Sequence, residues 1–223
     1  MPVIVSFVSQ KGGVGKSTLA RALLAVTAHC MKVRLADLDP QQGSVVAWEQ
    51  VRRRHPDAPH GEVVPYATVA DALLHGGDID LLIVDMPART NRSTLEVARR
   101  SHLIVQPTGP SADDLRPAIL TFHELVKEGI PKERLAIAIC RVLSEGEEAT
   151  VRSYVQAAGY QALAGAIPER IAYREAQNRG RAITETGLDT LNAHAEKLME
   201  DLLRRIAVEL KQTKRTRKRA EGR

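Results

Sequence analysis

Residues 10–18 read QKGGVGKST, a glycine-rich run that ends in adjacent lysine, serine and threonine. Glycines at 12, 13 and 15 let a backbone turn tightly and aim successive N–H groups at phosphate oxygens. Lys16 is placed to reach the β- and γ-phosphates of a nucleoside triphosphate, and the Ser17 hydroxyl to ligate magnesium. The run is close to the phosphate-loop pattern G-x-x-x-x-G-K-[ST], with one departure: Lys11 precedes two glycines, Gly12 and Gly13. Farther on, Asp37 and Asp39 stand in ADLDPQQG (36–43), and Asp85 closes the apolar stretch LLIVD (81–85). Carboxylates of this kind can hold a hard cation, directly or through water.

These residues need elements to position them. The β-branched run 3–8 predicts a buried strand immediately before the loop. Residues 19–30 predict the helix after it, whose N-terminal dipole adds to anion binding. Further strands are predicted at 32–36, 80–84, 102–106, 135–140 and 163–167. Helices are predicted at 41–54, 69–74, 95–100, 113–128, 147–158 and 188–210. Strands alternating with helices predict an α/β fold: a doubly wound, mostly parallel sheet flanked by helices, with right-handed crossovers. Ligands of such sheets bind beyond the carboxyl ends of the strands, where the loop, Asp37, Asp39 and Asp85 fall. A strand before and a helix after also argue against an accidental glycine-rich turn.

The bulk properties set bounds. The 223 residues suit one domain, and aromatics are only 3%, so the core must be built from Ala, Val, Leu and Ile. No apolar run approaches the roughly 18 residues that span a bilayer. The N-terminus lacks a basic region and is polar by Gln10, unlike a signal peptide, so a cytoplasmic protein is expected. Cys30 and Cys140 lie far apart and outside any metal spacing. His55 and His60 lie in a Pro-rich stretch that reads as a surface loop. Residues 211–223 carry seven Lys/Arg against one Glu, net +6, and the whole chain is +5, leaving −1 for residues 1–210. The expected organisation is therefore one domain, 1–210, and a basic tail, 211–223. Such tails are commonly disordered, or they contact nucleic acid or anionic lipid.

The form KGGVGKST is more specific than a generic phosphate loop. It resembles the deviant Walker motif of the ParA/MinD family of ATPases. The resemblance implies ATP and Mg²⁺ as ligands, held at Lys11, Gly12, Gly13, Val14, Gly15, Lys16, Ser17 and Thr18. It implies that Lys11 reaches across a homodimer to the partner's nucleotide. ADLDPQQG is similar to the family's D-x-D-P-Q motif, which implies that Asp39 orients the attacking water and Asp37 supports the magnesium shell. LLIVD resembles a Walker B strand, with Asp85 holding magnesium through water. The family often continues D-x-P-P, whereas Asp85-Met86-Pro87-Ala88 stands here.

Residues 167–176, IPERIAYREA, resemble the I-P-x-x-x-x-x-x-E-A stretch of ParA proteins. There the turn after the proline, here Pro168, lies near the adenine, and a basic residue nearby contacts DNA. One basic position of those relatives falls on Ala172, while Arg170, Arg174, Arg179 and Arg181 stand close by. Arg141, after the fifth predicted strand, takes the place of a base-contacting Asn or Arg. Lys214, Arg215, Arg217 and Lys218 of the tail are further candidates for DNA contact.

The resemblance covers residues 3–206 and is nearest to the short plasmid-type ParA form, without an N-terminal helix-turn-helix. It implies a nucleoid-associated DNA-partition ATPase. ATP would close a dimer on non-specific DNA, and a ParB-like or other cargo adaptor would stimulate hydrolysis and release. Three readings compete with it. A MinD-like membrane ATPase would carry a C-terminal amphipathic helix with a basic polar face, but residues 188–210 mix Glu and Asp with Lys and Arg opposite their apolar stripe. No membrane contact is therefore expected. A ligase of the dethiobiotin synthetase kind does not need Lys11 or D-x-D-P-Q. A ParA-like ATPase that positions a conjugation complex or a protein microcompartment would have the same site.

Overall fold

Short runs of Val, Ile, Leu and Phe are buried on both faces of a strand only when helices cover both sides of the sheet. The computed structural model describes residues 2–74, 78–88 and 91–221, apart from the side chains of Asn91 and 212–221, and has that architecture. From the N-terminus come β1 (Val3–Phe7), α1 (Lys16–Thr27), β2 (Val33–Asp37), α2 (Ser44–Arg52), β3 (Glu62–Pro65) and α3 (Val69–Leu74). Next come β4 (Leu81–Asp85), α4 (Asn91–Arg100), β5 (Leu103–Thr108) and α5 (Ala112–Lys127). The chain continues through β6 (Leu135–Val142), α6 (Glu145–Ala157), β7 (Gln161–Ala162), β8 (Ile167–Pro168), α7 (Ile171–Asn178) and α8 (Asp189–Glu221).

Every strand pair is parallel, in the order β3-β2-β4-β1-β5-β6-β7, with β8 also on β6. The expected doubly wound α/β sheet is therefore the observed one. Side chains alternate along β1 and divide the core in two. Val3, Val5 and Phe7 pack with α1 and with Leu198, Leu202 and Ile206 of α8. Ile4 and Val8 pack with Val69, Val97, Ile119 and Phe122 of α3, α4 and α5. The sheet order reverses direction around β1, and β1 ends just before the glycine-rich loop 10–18. The register Asp37↔Asp85 between β2 and β4 sets those two carboxylates side by side at the same end.

Several elements differ from expectation. The edge strand β3 lies in the Pro-rich stretch, where its own Pro65 and half-exposed valines hid the pattern. The strand expected at 163–167 is two short strands, Gln161–Ala162 and Ile167–Pro168. Between them Arg152 takes the carbonyls of Leu163 (2.9 Å) and Gly165 (2.7 Å), which a ladder would otherwise use. The helix α7 had no predicted bounds. The last helix continues past residue 210 to Glu221 through a segment of good helix formers, Lys, Arg, Gln and Ala. Among the described residues no helix is long and apolar enough to cross a membrane. The α8 stripe is spent on the core: Ala195, Leu198, Leu202 and Ile206 are buried.

Candidate functional site

The loop after β1 enters α1 through Gly15, whose φ of 113° only glycine adopts without strain. The N-cap, Gly15, supplies no side-chain acceptor, and uncapped N–H groups at a helix start suit an anion. A Cβ on Gly15 would also meet Cys140 Sγ at 3.5 Å. Lys16 is buried and folds back over the loop, its Nζ 3.4 Å from the Lys11 carbonyl. Burial pushes its pKa down, while Asp85 and Asp39 oppose that shift. A charged ammonium in such a place is stabilised by an anion laid across the loop.

The Lys11 side chain points the other way. It is 46% exposed and pairs with Asp114 Oδ1 at 2.5 Å, in the first turn of α5. The two lysines of the loop thus divide: Lys16 inward over the α1 terminus, Lys11 outward at the rim. Asp114 had no signal in the sequence beyond being an acid near a helix start.

The carboxylates converge on α1. Asp85 and Asp37 are 2% and 1% exposed, and the Ser17 hydroxyl bonds to Asp85. Asp37 Oδ1 accepts from the Asp39 N–H at 3.0 Å, and Val45 and Val46 of α2 also donate to Asp37. Asp39 is half-buried, and its Oδ1 accepts from the Gln42 N–H at 3.3 Å. Asp37 Oδ2 and Asp85 Oδ1 are buried with no partner among the described residues. Two orphaned carboxylate oxygens beside a serine hydroxyl fit a magnesium ion. No group of three or more His, Cys, Asp or Glu gathers among the described residues. A cation here would therefore complete its shell with water and phosphate oxygens, as magnesium does.

Burial pushes the Asp85 carboxyl up to about 7, with neighbouring Asp37 adding and Ser17, Lys16 and Arg21 opposing. This sets a pH dependence. A raised carboxyl binds its proton more tightly folded than unfolded, so the metal-free protein should lose stability as pH rises from about 4 through about 7. Magnesium needs the ionised form, so its affinity should fall as pH drops below about 7, approaching about tenfold per pH unit. Thermal melts with chelator at about pH 6 and pH 8, and with magnesium added back, test both signs. A higher Tm at the higher pH without metal contradicts the assignment.

A cavity of about 340 Å³ opens from the loop. Gly13, Val14, Gly15 and Thr18 form one wall, and Arg141, Pro168, Glu169, Tyr173 and Gln177 the other. This size holds a nucleoside. Arg141 sits at φ 62°, at an irregularity where β6 pairs β8. The bulge turns its exposed side chain outward, with Nε 2.9 Å from Glu169 Oε2. Pro168 lies on the cavity wall. Glu169, just after β8, and Tyr173 and Gln177 on the short helix α7 were missed, because a loop residue and two positions on a short helix show no spacing that betrays a pocket.

The remaining candidates are scattered. Arg170 and Arg174 stand at the cavity mouth. Arg179 caps α7 and is exposed. Arg181 is half-buried, its Nη2 2.8 Å from Asp57 and near His55. The side chains of Lys214, Arg215, Arg217 and Lys218 lie outside the described residues. His55 bonds to the Arg179 carbonyl.

Residues 5–183 match the CobQ/CobB/MinD/ParA nucleotide binding domain. The "Maintenance of carboxysome distribution protein A" of Gloeobacter kilaueensis is 29% identical over 94% of this chain and 94% of its own length. The "Chromosome-partitioning ATPase Soj" of Thermus thermophilus is 26% identical over 91% of this chain and 96% of its own. Among solved structures, the Cyanothece McdA–ATP complex superposes with a TM-score of 0.71 over 90% of this chain and 96% of its own, at 18% identity.

Proposed function

This chain belongs to the CobQ/CobB/MinD/ParA nucleotide-binding family, and from that membership we propose that it is a ParA-type positioning ATPase switched by ATP. The observation that carries the reading is the division of the two loop lysines. Lys16 already lies over the α1 terminus, so its own phosphates do not require Lys11. Lys11 stands at the rim, half-exposed, where a second subunit's phosphates can displace Asp114.

The loop N–H groups and Lys16 bind the phosphates. Magnesium, when bound beside Ser17, Asp85 and Asp37, neutralises charge on the β- and γ-oxygens. Asp39 stands at the turn facing that end and orients the attacking water. Asp37 fixes this turn through the Asp39 and α2 N–H groups. Arg141 and Pro168 flank the base. ATP closes two chains face to face, each Lys11 crossing to the other's nucleotide, and hydrolysis reopens them.

The dimer binds DNA through phosphates rather than base edges, so without sequence preference. Arg170 and Arg174 line the cavity and are exposed, Arg179 is exposed at the end of α7, Arg181 is half-buried on Asp57, and Lys214, Arg215, Arg217 and Lys218 follow in the basic segment; these are the candidates for the phosphate contacts. A cargo-bound adaptor stimulates hydrolysis and releases the DNA, so that the cargo is moved. The relatives named for chromosome partition and for carboxysome distribution support one ATPase cycle with different freight. The carboxysome relative, matched over 94% of both chains, supports a second reading in which the freight is a protein body.

Binding to random-sequence duplex across a salt series, with ATP, ADP or no nucleotide, tests the DNA step. ATP alone should give tight binding, with log affinity falling against log salt by about 0.9 for each phosphate contact. Arg179→Glu should weaken it about tenfold and leave ATP affinity unchanged. Equal binding with ADP, or none at all, contradicts the DNA reading.

A further inference from the structure

Arg21 lies one turn after Ser17 on α1, directed inward rather than to solvent. A half-buried guanidinium needs acceptors, and Arg21 finds them on two other elements. Its Nη1 donates to Gln177 Oε1 of α7 at 2.9 Å. Its Nη2 donates to the Ser44 carbonyl at the start of α2, at 2.7 Å. Its Nε is buried without a partner among the described residues. The Arg21 Cζ is 5.8 Å from the ring centre of Trp48, the chain's single tryptophan.

The two acceptors belong to different parts of the site. Gln177 lines the cavity that opens from the loop. Ser44 follows the turn that carries Asp39, where the Asp39 carbonyl accepts from the Gly43 N–H at 2.9 Å. The next residues, Val45 and Val46, donate to Asp37. A ligand that moves Gln177 therefore moves one arm of a rigid fork whose other arm holds α2. Burial disfavours the Arg21 charge, and nearby Asp85 and Asp37 oppose that.

We propose that Arg21 is a positioning residue that couples occupancy of the base cavity to the placement of the 37–43 turn. It touches no reacting atom. A filled cavity presses on Gln177, Arg21 shifts, and the Ser44 end of α2 carries Asp39 into line. The inference rests on reading the cavity as the nucleotide's base site.

Trp48 reports the step, because two guanidiniums lie against its ring, Arg52 at 5.0 Å and Arg21 at 5.8 Å, and a shift of Arg21 removes one of them. The experiment compares wild type, Gln177→Leu and Arg21→Lys. Gln177 is half-exposed, so its replacement leaves the core intact. Lysine keeps the charge but lacks the planar fork that spans two acceptors. Calorimetry first establishes ADP binding to each protein, and Trp48 emission is then read at saturating ADP. The expected result is an ADP-dependent emission change in wild type that is lost in Gln177→Leu. With ATP, kcat should fall about tenfold in both variants while KM stays within about twofold, and the double variant should be no slower than Arg21→Lys alone. Should Arg21→Lys fail to fold, Gln177→Leu decides by itself. An unchanged ADP signal or an unchanged kcat in Gln177→Leu overturns the coupling. Failure of wild type to bind ADP overturns the nucleotide reading itself, and the coupling with it.

Discussion

Lys16→Ala should weaken ATP binding by at least about a hundredfold, roughly 2.7 kcal/mol. The ammonium lies buried over the α1 N-terminus, held by little more than a 3.4 Å contact to the Lys11 carbonyl. Without phosphate its charge is costly there, and burial pulls its pKa down accordingly. With phosphate the cost becomes a gain, since a charge-assisted bond in a partly dry site outweighs a neutral one. Alanine removes that cation and leaves the phosphate charge without its nearest partner. Titration calorimetry with ATP and magnesium measures the loss. Affinity within about threefold of wild type would remove the phosphate-loop assignment.

Asp39→Ala should separate binding from turnover. We expect ATP affinity within about threefold of wild type and kcat lower by about 100- to 1,000-fold, the scale of losing a group that orients the reacting water. The fold tolerates the change. Asp39 contributes one side-chain bond, to the Gln42 N–H at 3.3 Å, while its backbone makes the rest of the turn. Losing that bond costs about 1 kcal/mol. Asp39→Asn keeps an oxygen for Gln42 but gives up the charge, so it should be as slow as alanine. Single-turnover hydrolysis of both variants tests this. Asparagine at the wild-type rate would mean that Asp39 builds the turn and does no chemistry.

The sequence carried the half of the site built on short, ordered motifs. QKGGVGKST sits between a strand and a helix, and its glycines have one reading once that context holds. Asp37 and Asp85 were legible because apolar strands end on them, and their pairing follows from the β2–β4 register. The opposite wall was not legible. Glu169, Tyr173 and Gln177 meet the loop only after the chain has passed through β7 and β8, and a distance across the sheet leaves no periodicity. Arg21 read as one more polar residue on a helix. Arg52 is fully buried, bound to Glu185 at 2.7 Å and to the Gly180 carbonyl at 3.1 Å, a position that charge statistics argue against. The strand expected at 163–167 was misread because its carbonyls go to Arg152, a long-range side-chain contact that no local pattern announces.

ATP should close two chains through Lys11, and the mass of the protein in solution measures that closure. Sedimentation of Asp39→Ala, which should retain ATP, is compared with ATP and with ADP, each with magnesium, and repeated with Lys11→Ala added. The protein should sediment as a dimer with ATP, as a single chain with ADP, and as a single chain in both cases once Lys11 is removed. A single chain with ATP, or a dimer that ignores both nucleotide and Lys11, would contradict closure through Lys11.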